Sequence, residues 1–80
     1  MKNLMLDALK TKLITSAMWT NEYANNEDIN RNHTNYGATT AYAHVLYNFG
    51  VNVDIPVYEK NGFLKIPKIT IDTKEIKLEF

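Results

Sequence analysis

The sequence predicts an α+β fold (ααβββ): two N-terminal helices packed on a C-terminal three-stranded antiparallel β-meander, in a single small domain spanning residues 1–80. Three observations predict it. The period changes at Gly50, from apolar residues at helical spacing to alternating apolar and polar residues. Asn61-Gly62 then interrupts the alternating half with the dipeptide best suited to a two-residue hairpin, because both residues tolerate positive φ. Thr73-Lys74 marks a second turn before the alternation resumes over residues 76–80.

The first helix is expected over about residues 3–20, where Met5, Leu6, Leu9, Leu13 and Ala17 share one stripe at ~100° per residue. Asp7 suits the positive end of its dipole, and the segment has no Pro or Gly. Trp19 lies off the stripe, and its size argues for burial. Residues 20–34 are polar and rich in Asn, whose amide competes for backbone hydrogen bonds. The first helix can run on through Glu22-Tyr23-Ala24 before breaking near Asn25-Asn26, and the remainder reads as a loop or a short turn of helix, with Tyr23 and Ile29 pinning the segment to the core. Thr34 or Asn35 is the expected cap of the second helix, and Gly50-Val51 reads as a Schellman stop. Ala38, Ala41, Tyr42, Val45, Leu46 and Phe49 form its expected core stripe.

In the second half, Val51, Val53, Ile55 and Val57 alternate with Asn52, Asp54, Pro56 and Tyr58 as a half-buried strand. The Asn61-Gly62 turn sets Val57 opposite Ile66 and Glu59 opposite Leu64. The next hairpin is expected to pair Ile71 with Ile76 and Ile69 with Leu78. Leu64 and Ile66 face inward at even positions, whereas Ile69 and Ile71 do so at odd ones. Pro67 sits between them and cannot donate to a ladder, so a bulge or bend over residues 66–68 is required. Leu9, Leu13, Val45, Phe49, Val57 and Ile71 are the expected core.

Composition narrows the function. Nine Lys and Arg balance nine Asp and Glu, which removes the bulk attraction for nucleic acid or anionic lipid. There is no cysteine, hence no disulfide and no thiolate cage for zinc. No apolar run reaches the ~18 residues of a membrane span, and nothing resembles a secretory signal. A cytoplasmic protein is expected, with no membrane association. Abundant Asn and Lys beside a single arginine, Arg31, suggest an AT-rich bacterial, phage or mobile-element gene.

Catalytic and cofactor chemistry find no motif. His33 and His44 match no metal-ligand or acid–base spacing. Ser16 is the only serine and has no nucleophile elbow, and no glycine-rich phosphate loop exists. No catalytic, cofactor-binding or metal residue is therefore assigned. A helix pair followed by a hairpin also describes a winged helix, making a small DNA-binding regulator the alternative reading. Against it, residues 36–49 contain no Lys or Arg, and the hairpin lysines are interleaved with acids. The stronger feature is a second-helix face opposite the expected core stripe. There Tyr36, Thr40, His44 and Tyr47 recur at helical spacing without a charge. These four residues are the candidate partner-binding site, for another protein or for a second copy. The functional expectation is a non-enzymatic interaction module, in concrete form an anti-CRISPR-like inhibitor of a host defence machine.

Overall fold

The protein is described by a computed structural model covering residues 3–78. Two long helices, α1 (Leu4–Asn25) and α2 (Ile29–Asn48), precede five short strands. These are β1 (Val53–Asp54), β2 (Tyr58–Lys60), β3 (Phe63–Lys65), β4 (Lys68–Ile71) and β5 (Lys74–Lys77). They form an antiparallel sheet of order β1-β4-β5 and a separate β2-β3 ribbon. The fold is thus α+β, helices first, and the chain makes the expected antiparallel passes. The first two passes are each interrupted at a proline, Pro56 or Pro67. Glu79 and Phe80, expected in the last strand, lie outside the described residues.

The required irregularity is present. Tyr58 pairs with Lys65 in the ribbon, and Asp54 with Thr70 in the sheet. From one pair to the other the first pass advances four residues and the second pass five. The extra residue falls around Ile66-Pro67, where pairing lapses, and it lets Ile66, Ile69 and Ile71 all reach the core. Glu59 opposes Leu64 as expected, across a turn in which Asn61 (φ 54°) and Gly62 (φ 86°) are both left-handed. The second hairpin differs from expectation. Ile69, not Ile71, pairs with Ile76, because the turn is Asp72-Thr73 and Asp72 takes the left-handed conformation (φ 54°). Asp is one of the few residues that tolerates it. The correction is a shift of two residues, so every side chain keeps its face.

α1 runs on to Asn25 and breaks where expected, but the loop or short turn expected from there to residue 34 is long helix from Ile29 onward. Only residues 26–28 connect α1 to α2. Asn3 caps α1 by accepting from the amides of Met5 and Leu6, and Asp28 caps α2 by accepting from Arg31. Neither Thr34 nor Asn35 caps α2; both lie within it. The stop after α1 is a Schellman motif with Glu27 left-handed (φ 58°) and the Asp28 amide donating to Tyr23 O. The stop after α2 is the expected one. Gly50 N donates to Tyr47 O and Val51 N to Leu46 O, and both Leu46 and Val51 are buried.

The Asn-rich segment stays helical because its polar side chains are used in the interior. Asn32 accepts from Leu64 N at 2.9 Å and donates to Leu64 O at 2.8 Å and Thr20 O at 2.7 Å. Asn21 accepts from Ile66 N at 2.7 Å and donates to Ile66 O at 2.8 Å. Both asparagines are buried. Leu64 and Ile66 share one edge of the second pass, and β2 occupies the other. A side-chain amide carries the same acceptor and donor as a peptide, so each asparagine acts as a one-residue strand along that edge. Hydroxyls complete the helix–helix contact. Ser16 and Thr39 bond each other at 2.8 Å, and Thr20 donates to Ser16 O. These small polar residues let α1 and α2 lie close and antiparallel.

Apolar burial centres on Leu13, Ala17, Leu46, Val51, Ile66, Ile69 and Ile71, with Leu9 at its margin. Three expected core members are not in it: Phe49 is 55% exposed, Val45 38% and Val57 38%. Trp19, expected inside, is 49% exposed. The inward line of α2 runs Asn32, Thr39 and Leu46, flanked by Tyr36, Tyr42 and Ala43. Two of its three central residues are polar, so apolar spacing alone selects a stripe rotated toward Val45 and Phe49.

Replacing Asn32 by Leu keeps most of the volume but strands Leu64 N and Leu64 O away from water. Unpaired buried groups cost about 1–3 kcal/mol each, so Asn32→Leu is expected to lose at least ~2 kcal/mol by urea unfolding. Near-unchanged stability would show that the amide is not needed.

Candidate interaction surface

From Asn32 to Val53 the chain carries no Lys, Arg, Asp or Glu, and this stretch includes most of α2. Solvated helix faces in small domains ordinarily carry alternating charges. Within this stretch the solvent side of α2 includes His33, Thr40, His44, Val45 and Tyr47, with Phe49 just past its end, all exposed.

The four candidate residues are divided by depth. Tyr36 is half-buried and packs against the core cluster. Thr40, His44 and Tyr47 are exposed and follow one another along α2 at i, i+4 and i+7. Tyr47 is 65% exposed. The Thr40 hydroxyl donates to Gly37 O at 2.9 Å, so its methyl and lone pairs are what it offers outward. Because the helices are antiparallel, the C-terminal end of α2 lies beside the N-terminal end of α1. That end of the hairpin therefore gathers Tyr47 and Phe49 together with Leu4 and Met5, which are 76% and 50% exposed.

A second exposed aromatic group lies on α1, where the size of Trp19 had argued for burial. Trp19 stacks on Tyr23 with centroids 5.5 Å apart, and the Arg31 guanidinium sits 5.8 Å from the Tyr23 centroid. Trp19 also lines a shallow groove between the helices with Thr11, Thr15, Asn35, Ala38 and Tyr42. The sequence signal for its exposure was its position, two residues past Ala17 and off the stripe that Leu13 and Ala17 define.

His33 Nε2 lies 2.6 Å from Gly62 O; a carbonyl only accepts, so the ring donates and ties α2 to the β2-β3 turn. Ile29 adds an apolar contact to the same turn, its Cδ1 only 3.1 Å from where a Gly62 Cβ would stand. His44 projects from the exposed side of α2. No group of three or more His, Asp or Glu among the described residues is arranged to hold a metal ion. Among the described residues no helix is long and apolar enough to cross a membrane.

Charge is concentrated on the sheet. Lys68 Nζ and Glu75 Oε1 are 2.9 Å apart on its outer face. Their hydrogen bond, reinforced by the opposite charges, raises the lysine above its ordinary range and lowers the carboxyl below its own. What the pair adds to stability is present between those two ranges. It is lost as pH falls through the lowered Glu75 value or rises through the raised Lys68 value. The pair is exposed, so its contribution is small.

No protein family matches this chain, and no curated protein or solved structure is detectably similar to it.

The depth of each α2 residue fixes what its loss should do. Leu46→Ala is expected to cost about 2–5 kcal/mol, as other fully buried leucines do. Phe49→Ala should change stability by less than ~1 kcal/mol. Thermal melts of the two variants check this, and a reversed order would place Phe49 in the core.

Proposed function

We propose that this protein is a non-enzymatic interaction module that docks on a protein partner through the solvent side of α2. The observation that carries the reading is the uncharged exposed surface of that helix from Asn32 onward, with Tyr47 exposed near its C-terminal end. Interface centres are depleted in Lys and Glu and enriched in Tyr, since a desolvated charge without a counter-charge opposes binding. Thr40, His44 and Tyr47 supply the contact, and Tyr36 supports it from the half-buried layer beneath. Val45 and Phe49 add apolar area along one flank.

The finer form of the proposal is an inhibitor that covers a working surface of a host defence machine, an anti-CRISPR-like protein from a phage or mobile element. Its support is small size, zero net charge and an Asn- and Lys-rich composition. A cytoplasmic site of action accords with a fold that uses no cysteine.

Tyr47→Glu tests the reading. In the free protein the new carboxylate sits in water, so circular dichroism and melting should stay close to wild type. Against a partner it is buried without a counter-charge, and capture of a partner by tagged protein from its native host should fall about tenfold or more. A folded Tyr47→Glu variant that captures the same partner as wild type would move the contact off α2. Recovery of DNA by the wild type, with retention falling steeply as salt rises, would overturn the protein-partner reading.

A further inference from the structure

β5 is one of the two edge strands of the sheet and, among the described residues, has β4 on one side only. Leu78 N donates to Pro67 O at 2.9 Å, and that pair continues the register Ile69–Ile76 and Ile71–Lys74. In an antiparallel ladder residues bond inward and outward by turns. Leu78, Ile76 and Lys74 therefore direct their backbone groups to β4, and Glu75 and Lys77 direct theirs outward. Exposed edges of this kind accept a further strand unless charge or shape prevents it.

The charges on β5 admit one register for a second copy. A two-fold pairing has to set outward-bonding residues opposite one another, so it is centred on Glu75, Ile76 or Lys77. Centred on Glu75, it opposes Glu75 to Glu75. Centred on Lys77, it opposes Lys77 to Lys77. Centred on Ile76, it sets Glu75 against Lys77 twice, joins the two Ile76 side chains on the core side, and places Lys74 beside Leu78. An apolar shoulder accompanies this edge. Ile14 of α1 flanks Ile76, and Met18, 56% exposed, flanks Leu78. A two-fold axis perpendicular to the sheet brings the two shoulders to the same side.

We propose that the protein forms a symmetric dimer by antiparallel β5–β5 pairing centred on Ile76, with each Glu75 opposite Lys77 of the second copy. The two three-stranded sheets become one of six strands, and the Ile14–Met18 shoulders close over the new seam. The inference does not rest on the α2 reading. A dimer joined this way keeps both α2 faces outward, giving any partner of α2 a bivalent ligand.

Charge exchange between two variants tests the register. Wild type is expected to convert from monomer to dimer in sedimentation runs between about 1 µM and 1 mM. Glu75→Lys and Lys77→Glu each create two like-charge cross-strand pairs, and each alone should dimerise about tenfold more weakly. Mixed in equal amounts, the two variants form a dimer with opposite charges restored at both positions, and association should return toward wild type. Tyr47→Glu should dimerise as wild type does, which separates this seam from α2. A wild type that stays monomeric, variants that dimerise unchanged, or a mixture no better than its components would each overturn the proposal. If either variant is unfolded by circular dichroism, amide exchange in the wild type decides. Protection at Glu75 and Lys77 that rises with protein concentration supports the seam, and exchange independent of concentration overturns it.

Discussion

The structure depends on how Leu64 and Ile66 satisfy the edge of their pass that faces the helices. Among the described residues that edge has no strand beside it, and burying unpaired peptide groups against α1 and α2 is costly. Asn21 and Asn32 remove the difficulty by presenting one side-chain amide to each residue. Each amide gives and accepts, as a neighbouring strand would. The helices can then lie against a sheet edge as well as a sheet face, and the break at Pro67 becomes tolerable because Ile66 has a partner outside the ladder. Every buried side-chain polar atom among the described residues is likewise paired. A half-satisfied network at this position would be worse than none.

This constraint also explains the interior of the helix pair. Ser16, Thr20, Asn21, Asn32 and Thr39 are all buried. Their hydrogen bonds are directional, so they fix the rotation of α2 about its axis more tightly than apolar contacts would. That rotation turns Leu46 inward and leaves Tyr47 and Phe49 outside. The outward chemistry of α2 is thus a consequence of the inward polar line, and the proposed docking face and the asparagine pairs are two sides of one helix.

What could be read from the sequence follows from which signals are local. The Gly50 stop, the Asn61-Gly62 turn and the register lapse beside Pro67 rest on backbone chemistry of a few residues, and all are present. The helix over residues 29–34 was hidden, because Asn in sequence signals a turn, while Asn32, like Asn21, here finds a partner more than thirty residues away, in β3 or at Ile66. The same polar line displaced the expected core stripe toward Val45 and Phe49. Of the candidate site, Thr40, His44 and Tyr47 were placed on the solvent side correctly by period alone. The half-burial of Tyr36 and the exposure of Trp19 depended on that rotation and were not legible. The Asp72-Thr73 turn was missed by one residue, which shifts the pairing register by two, the smallest error that preserves every face.

Amide hydrogen exchange at Leu64 and Ile66 tests the central claim most directly. Both amides point away from the β2 ladder, toward helices rather than toward a strand. If Asn32 and Asn21 hold them, they should exchange only through opening of the whole domain, as slowly as Ile69 at the centre of the β1-β4-β5 sheet. Exchange at Leu64 and Ile66 as fast as in the free edge of β5 would contradict the account, because the asparagines would then not be acting as strand.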